Sequence, residues 1–378
     1  MREAGSEKRG SRAAPLRRGW TTGACAAAAT RAAYEALITG ECPAAVEITL
    51  PRGARASFAV ATFERSADSA TAGIVKDAGD DPDVTHGALV RAKVMHGAAG
   101  SGVVFRAGEG VGTVTKPGLP IPPGEPAINP VPREMIRHAV REVAELFGAA
   151  GDVVVEISIP GGAALAEKTL NARLGIVGGL SILGTTGIVV PYSCAAWIHS
   201  ILSGIDVARA TGLGHIAGAT GRTSEAAVQK LYALPEAALI DMGDFAGGML
   251  KYLRRHPVPR VTVAGGYAKM AKLGQGRLDL HSKRGSLDRN WLAGLLAEAG
   301  APRDLAEFAR TANTAQLVLE RALGLGLPLG DLVAEAAWRT AAEVLDGSGI
   351  VLDIAVFDRE GRLVGRAAPR IAHAGLPR

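Results

Sequence analysis

Three glycine-bearing turns could bring bare backbone up to a ligand: Gly218-Ala219-Thr220-Gly221-Arg222-Thr223, Gly243-Asp244, and Gly265-Gly266-Tyr267-Ala268-Lys269. Each sits between an apolar run and a helical pattern. In a parallel sheet such turns lie at the carboxyl ends of strands, where N–H groups and helix N-termini face a ligand. Gly218, Thr220 and Gly221 would let a small-residue turn approach a nucleoside or an anion. Asp244 or Asp241 could accept hydrogen bonds from ribose hydroxyls, and Gly265 and Lys269 complete the set. The combination suits an adenosine-containing cofactor, although glycine turns after strands also serve only to turn the chain.

Lys76, Asp77, Asp80, Asp81 and Asp83, in the string KDAGDDPDVTHG, form the densest acidic cluster. Adjacent carboxylates can chelate a hard cation or hold a raised pKa as a general base, which makes Asp80 and Asp81 candidate catalytic residues. The glycine and proline inside the string mark a turn, and its spacing is not that of an EF-hand loop. A turn built on Asp side chains, or substrate positioning, is therefore favoured over a metal, and no protein metal site is expected. His281, in LDLHSKRG, is a third catalytic candidate. Around it in sequence, Lys269, Lys272, Lys283 and Arg284 could hold the carboxylates of an acidic substrate, or could form a plain basic surface loop. The string GLSILGTTGIVVP, at 179–191, carries Thr185 and Thr186 and reads as a buried linker or an active-site wall. It lacks the lysine of a phosphate-binding loop. The absence of GxSxG, HExxH and CxxC removes the usual support for hydrolases and zinc enzymes.

These residues need elements to hold them. Thr22 can cap a helix over 24–38 that Gly40 ends. Strands are predicted at 46–50, 57–62, 70–76, 89–94 and 103–106. Between residues 116 and 133 seven prolines exclude a regular element and predict a stiff loop carrying Lys116, Asn129 and Arg133. A helix at 134–147 and a strand at 153–159 follow. From about Pro191, strand, glycine loop and helix recur three times, which implies a parallel sheet with right-handed crossovers. Helices at 290–299, 305–322 and 332–345 and a strand pair at 351–357 and 363–366 complete the chain. The expected division is a disordered basic tail over 1–15, an α+β domain with a mostly antiparallel sheet over 16–190, and a Rossmann-like α/β domain with C-terminal helices over 191–378.

The chain has 378 residues, 48% hydrophobic and 21% charged, enough for two packed domains. Aromatic residues are 4% and glycines number 49, so Ala, Val, Leu and Ile must fill the core. No apolar run approaches the roughly 20 residues of a membrane helix, and the basic start lacks a signal-peptide core. Cys25, Cys42 and Cys194 are too few and scattered for a disulfide framework or a cysteine zinc site. A cytoplasmic protein without membrane contact is expected. The net charge of +5 resides largely in Arg2, Lys8, Arg9, Arg12, Arg17 and Arg18. With the rest near neutral and no helix-turn-helix, zinc-finger or RNP-like signature, no nucleic-acid partner is expected.

Longer strings carry a likeness. TTGACAAAA at 21–29, KDAGDDPDVTHG at 76–87, GTVTKPGLPIPPGEPAINPVPR at 112–133 and KTLNARLGIVGGLSILGTTGIV at 168–189 resemble the CbiD family. GDF at 243–245 and AKMAKLGQG at 268–276 continue it, and the match is weaker beyond His281. The chain departs from the family pattern at Gly266-Tyr267-Ala268, where a glycine and hydrophobic pair is expected before the lysine. It departs again at Leu280-His281, where a threonine often precedes the histidine.

The resemblance implies methyl transfer from S-adenosylmethionine to ring carbon C1 of cobalt-precorrin-5B, in the anaerobic route to cobalamin. It implies a fold other than that of the tetrapyrrole methylases, and cobalt present only inside the substrate. On that basis the glycine loops are expected to hold the adenosyl part. Thr21, Thr22, Lys76, Lys116, Asn129, Arg133, Thr185 and Thr186, with Asp80 and Asp81, are expected to face the carboxylated corrinoid. A sulfonium methyl is already electrophilic, so positioning and electrostatics would do most of the catalysis. A homo-oligomer and transient contacts with other cobalamin-pathway enzymes are compatible with this reading. Two other classes stay open: a non-catalytic carrier of corrinoid intermediates, and a nicotinamide-dependent oxidoreductase, for which a GxGxxG turn opening a helix is missing.

Overall fold

The computed structural model describes residues 15–281 and 287–373. The expected basic tail, apart from Pro15, lies outside the described residues, as do Lys283 and Arg284. The chain forms two compact units. The first comprises the described residues up to Val114, Gly124–Asn171 and Ile176–Ser193; the second comprises Thr115–Pro123, Ala172–Gly175 and the chain from Cys194 onward.

In the first unit the elements are β1 (Gly19–Trp20), α1 (Thr22–Thr39), β2 (Ala45–Thr49), β3 (Arg55–Ala59), β4 (Thr62–Arg65), β5 (Ser69–Val75), β6 (Leu89–His96), β7 (Val103–Ala107), β8 (Thr113–Val114), α2 (Pro130–Phe147), β9 (Val153–Ser158), α3 (Gly162–Ala166), β10 (Ile176–Val177) and β11 (Ile188–Val189). Five strands form a sheet in the order β4-β5-β6-β9-β7, antiparallel except where β7 runs parallel to β9. Alternation sets its buried face: Val90, Ala92 and Val94 of β6 and Val153, Val155 and Ile157 of β9 point inward. Against them packs α1, whose Ala24, Ala26, Ala27, Ala28 and Ala29 are fully buried. Side chains this short let the helix axis approach the strands closely.

The helix expected at 134–147 begins earlier, at Pro130. Pro130 and Pro132 occupy its first turn, where the missing N–H groups have no helical acceptor and the fixed φ is already helical. The proline-rich loop is therefore shorter than its composition suggests.

The second unit contains α4 (Cys194–Ala210), β12 (His215–Ala219), α5 (Arg222–Tyr232), β13 (Leu239–Asp241), α6 (Ala246–Arg255), β14 (Arg260–Gly266), α7 (Tyr267–Gly274), α8 (Arg289–Glu298), α9 (Arg303–Thr311), α10 (Ala315–Gly324), α11 (Leu329–Leu345), β15 (Val351–Phe357) and β16 (Leu363–Ile371). Its sheet runs β13-β12-β14-β15-β16, parallel but for the edge strand β16. Residues Leu352 through Phe357 are all buried, the mark of a strand covered on both faces. The single helix expected at 305–322 is two. Ala312 takes an extended ψ of 139° after α9, and the Thr314 hydroxyl accepts from Leu317 N–H to start α10.

Candidate active site

From β12 the chain passes to β13 on one side, then crosses to β14 on the other, so strand order reverses between β12 and β14. Loops diverge at such a point and leave a crevice at the carboxyl ends. The bordering loops run directly into helices, Thr220-Gly221 into α5 and Gly266 into α7. Neither N-cap, Gly221 nor Gly266, supplies a side-chain cap. First-turn N–H groups of both helices therefore keep capacity for an anion. A Cβ added at Gly221 or Gly266 would meet nothing within 4 Å. At Gly218 it would come 2.3 Å from Met249 Sδ, and at Gly265 2.6 Å from Met270 Sδ. The structure thus separates two packing glycines from two that front open space.

Lys269 ties this end of the sheet together. Its ammonium donates to the Thr220 carbonyl at 2.8 Å and lies 3.1 Å from Asp244 Oδ1. The second contact is an ion pair without hydrogen-bond alignment, because Asp244 Oδ1 is buried and accepts no hydrogen bond among the described residues. A buried carboxylate oxygen with an unused acceptor direction is costly unless something donates to it. Thr220 Oγ1 accepts from Gly266 N–H at 3.4 Å. All six residues expected at a cofactor, Gly218, Thr220, Gly221, Asp244, Gly265 and Lys269, gather here. The Leu280 N–H donates to the Asp244 carbonyl at 2.9 Å, so exposed His281 follows directly from the same loop.

Four more features lie at this end of the unit: Arg173 and Trp197, which carry little sequence signal, and Asp241 and Tyr267, which belong to the strand ends and turns already singled out. Arg173 makes two hydrogen bonds of 2.7 and 2.8 Å to Glu225 on α5, although it comes from a four-residue segment far upstream. Asp241 ends β13; burial pushes its carboxyl above the ordinary range, Glu225 adds to this, and Arg173, the Gly243 N–H and Lys269 only partly offset it. Trp197 of α4 donates to the Asp241 carbonyl at 2.9 Å while the residue stays 45% exposed, its ring 6.4 Å from that of Phe245. Tyr267 opens α7 with a buried hydroxyl that has no partner among the described residues, and burial pushes its phenol up.

In the first unit a second group of expected residues converges around β1. Thr21 caps α1 by accepting from Ala24 N–H at 3.2 Å, and Thr22 Oγ1 donates to the Leu183 carbonyl and accepts from Leu183 N–H. Gly184 has φ +131°, and a Cβ there would also come 2.3 Å from Thr21 Oγ1, so both its backbone and its packing require glycine. Asn129 N–H donates to the neighbouring Ile182 carbonyl at 2.9 Å, and its side chain makes no cap bond to α2. The N-termini of α1 and α2 are therefore both tied to the strand-like segment 182–184. Thr186 closes its own turn through Ile188, while Thr185 is exposed.

The acidic string turns out to be a buttress. Asp80 accepts from Arg17 N–H at 2.6 Å and Asp81 from Tyr192 N–H at 2.7 Å. The Arg17 guanidinium holds Asp77 down at about 2, with help from the Gly79 N–H. Lys76, expected to face substrate, is 1% exposed and binds Asp83 at 2.6 Å. Burial raises the Asp83 carboxyl, but the Lys76 charge and the hydrogen bonds from Lys76 and Thr85 outweigh it and leave its pKa lowered. Arg133 is likewise spent internally, donating to the Ile128 and Pro126 carbonyls and to Glu125 while lying over Phe105. Both cations brace loops of the first unit. Lys116 belongs to the second unit, with its side chain against Gly175.

Residues 9–191 match the family described as CbiD, and residues 279–368 match the one described as CbiD, C-terminal domain. A Bradyrhizobium protein named cobalt-precorrin-5B C(1)-methyltransferase is 70% identical over 364 residues, 96% of this chain and 96% of its own. Proteins of the same name from Agrobacterium fabrum and Methylorubrum extorquens are each 62% identical, over 96% and 92% of this chain and 96% and 97% of theirs. The 1.9 Å crystal structure of the cobalamin biosynthesis protein cbiD from Archaeoglobus fulgidus is 26% identical, covers 82% of this chain and 85% of its own, and has a TM-score of 0.39.

Proposed function

The chain belongs to the CbiD family, and from that premise we propose that it transfers a methyl group from S-adenosylmethionine to C1 of cobalt-precorrin-5B, giving cobalt-precorrin-6A in cobalamin biosynthesis. The single observation in the structure that carries the donor assignment is the buried Asp244 Oδ1, ion-paired to Lys269 but accepting no hydrogen bond among the described residues, beside two helix N-termini without side-chain caps. A ribose hydroxyl suits the carboxylate oxygen, and the amino-acid carboxylate of the donor suits the helix ends.

The second unit is read as Rossmann-like, distinct from the tetrapyrrole-methylase fold, and as the donor-binding part. When bound there, the donor supplies an electrophilic methyl carbon on a cationic sulfur. The protein's work is then positional. Lys269 holds the loops after β12 and β13 in register, and Gly221 and Gly266 leave room for close approach. The first unit, through Thr21, Thr22, Asn129, Thr185 and the loop braced by Lys76, Asp80, Asp81 and Arg133, is read as the macrocycle-binding part. Lys116 supplies a further cation. A bound donor would supply the methyl carbon and its sulfur would keep the C–S bonding pair as the new C–C bond forms, so the residues that hold attacking carbon, methyl and sulfur in line would be the main source of rate. No protein metal is required, and the cytoplasm is the compartment this reading assigns.

Incubating the protein with cobalt-precorrin-5B and methyl-labelled S-adenosylmethionine tests the proposal. Mass and NMR analysis should find one labelled methyl at C1. Tight corrinoid binding without transfer, from folded protein and verified substrate, would replace the enzyme by a carrier.

A further inference from the structure

A cavity of about 760 Å³ opens in the second unit among α7, α8, α9 and α10. Four cations line it: Lys272 of α7, Arg277, Arg289 of α8 and Arg310 of α9. Among the described residues none of the four forms an ion pair with a carboxylate, whereas nearby Arg321 and Lys269 both do. One carboxylate, Asp288, borders the cavity, and it is occupied as the cap of α8, accepting from the N–H groups of Asn290 and Trp291. The first residues of α8 and of α10 also line the space, adding the positive ends of two ten-residue helices. Leu287, Leu292 and Val318 give it apolar walls.

A protein surface normally intersperses charges of opposite sign, since like charges held together repel. Four cations around one hollow, without a carboxylate partner among the described residues, are therefore a standing cost that a polyanion would relieve. The apolar walls ask for more than an inorganic ion. Position narrows the ligand further. Ala268 and Lys272, one turn apart on the same face of α7, line the cavity, and α7 begins at the crevice where the donor is placed. Lys272 stands about 7.5 Å along the helix axis from its start. Its ammonium donates to the Leu280 carbonyl at 3.1 Å, which fixes the charge at the edge shared with the Asp244 loop.

We propose that this cavity receives peripheral carboxylates of the corrinoid substrate, with Lys272, Arg277, Arg289 and Arg310 as their counter-charges. This rests on the methyltransferase reading and deepens it, by giving the second unit a recognition site for carboxylates of the substrate. A flat apolar ring with several carboxylate arms matches both the charge and the walls of the hollow.

The test is direct binding of cobalt-precorrin-5B, followed by visible absorbance and independent of turnover. The double variant Arg289→Gln/Arg310→Gln alters exposed side chains. It should bind the corrinoid at least tenfold more weakly, with the melting temperature and the affinity for S-adenosylhomocysteine kept. Arg303→Gln, a loss of charge on α9 away from the cavity, should bind like the parent protein. The wild-type difference should shrink as salt is raised. Equal corrinoid affinity in the double variant and the parent would overturn the proposal even if methyl transfer is confirmed. Weakened binding in the double variant with no transfer by the parent would leave the cavity assignment standing and remove the enzymatic reading.

Discussion

The Lys269 ammonium donates to the Thr220 carbonyl at 2.8 Å, so a side chain from the helix after β14 holds the turn after β12 across the point where strand order reverses. Its second neighbour, Asp244, brings in the loop after β13. Removing the cation while keeping the bulk should therefore open the crevice. Lys269→Met is expected to weaken S-adenosylhomocysteine binding tenfold or more by calorimetry, in line with about 1.5–3 kcal/mol for a charged hydrogen bond. Lys269→Arg should recover part of it. Unchanged affinity in the methionine variant would show that the loops stay set without the ammonium.

What made the crevice legible in advance is local. Glycine turns between apolar runs and helical patterns mark strand ends, so Thr220, Asp244 and Lys269 could be named from spacing alone. Its remaining parts are contributed by chain segments with no local pattern. Arg173 reaches Glu225 from an isolated stretch at 172–175, and Trp197 sits on α4, a helix that the repeated strand, glycine loop and helix pattern expected from about Pro191 did not include. Charge also misled in the first unit. Lys76 and Arg133 looked available to substrate because sequence shows a cation but not its partner. Burial against Asp83 in one case, and three backbone and side-chain acceptors in the other, turned both into braces. Proline counting overextended the loop for a different reason, since the first turn of a helix tolerates the residue that its interior rejects.

The Lys76–Asp83 pair predicts a pH-dependent loss of stability. Lys76→Met would leave a largely buried carboxylate without its counter-charge, a change that costs about 3–5 kcal/mol when one partner of a buried pair is removed. Asp83 has a lowered folded-state pKa, so its pairing contributes stability above the unfolded carboxyl value of about 3.9, and that contribution fades as pH falls through the folded value. Denaturant melts should accordingly show the largest gap between parent and variant near neutral pH and a shrinking gap below about pH 4. A gap independent of pH would mean that the lysine stabilises through its methylene packing instead.

Two glycines three residues apart should respond in opposite ways. Gly218→Ala places a methyl group against Met249 Sδ inside the sheet, so the cost should fall on stability, about 1–3 kcal/mol for overpacking. Donor affinity should be largely kept once the variant is folded. Gly221 has an extended φ of 162° that a β-branched residue adopts without strain, and an added side chain meets nothing within 4 Å. Gly221→Val should therefore melt like the parent protein yet bind S-adenosylhomocysteine at least tenfold more weakly, because the new methyl groups occupy space the ligand needs. Thermal melts with and without that ligand read both effects at once. If Gly221→Val gained the same ligand-induced stabilisation as the parent, the open space above α5 would not be where the donor sits, and the donor would have to enter from the Gly266 side.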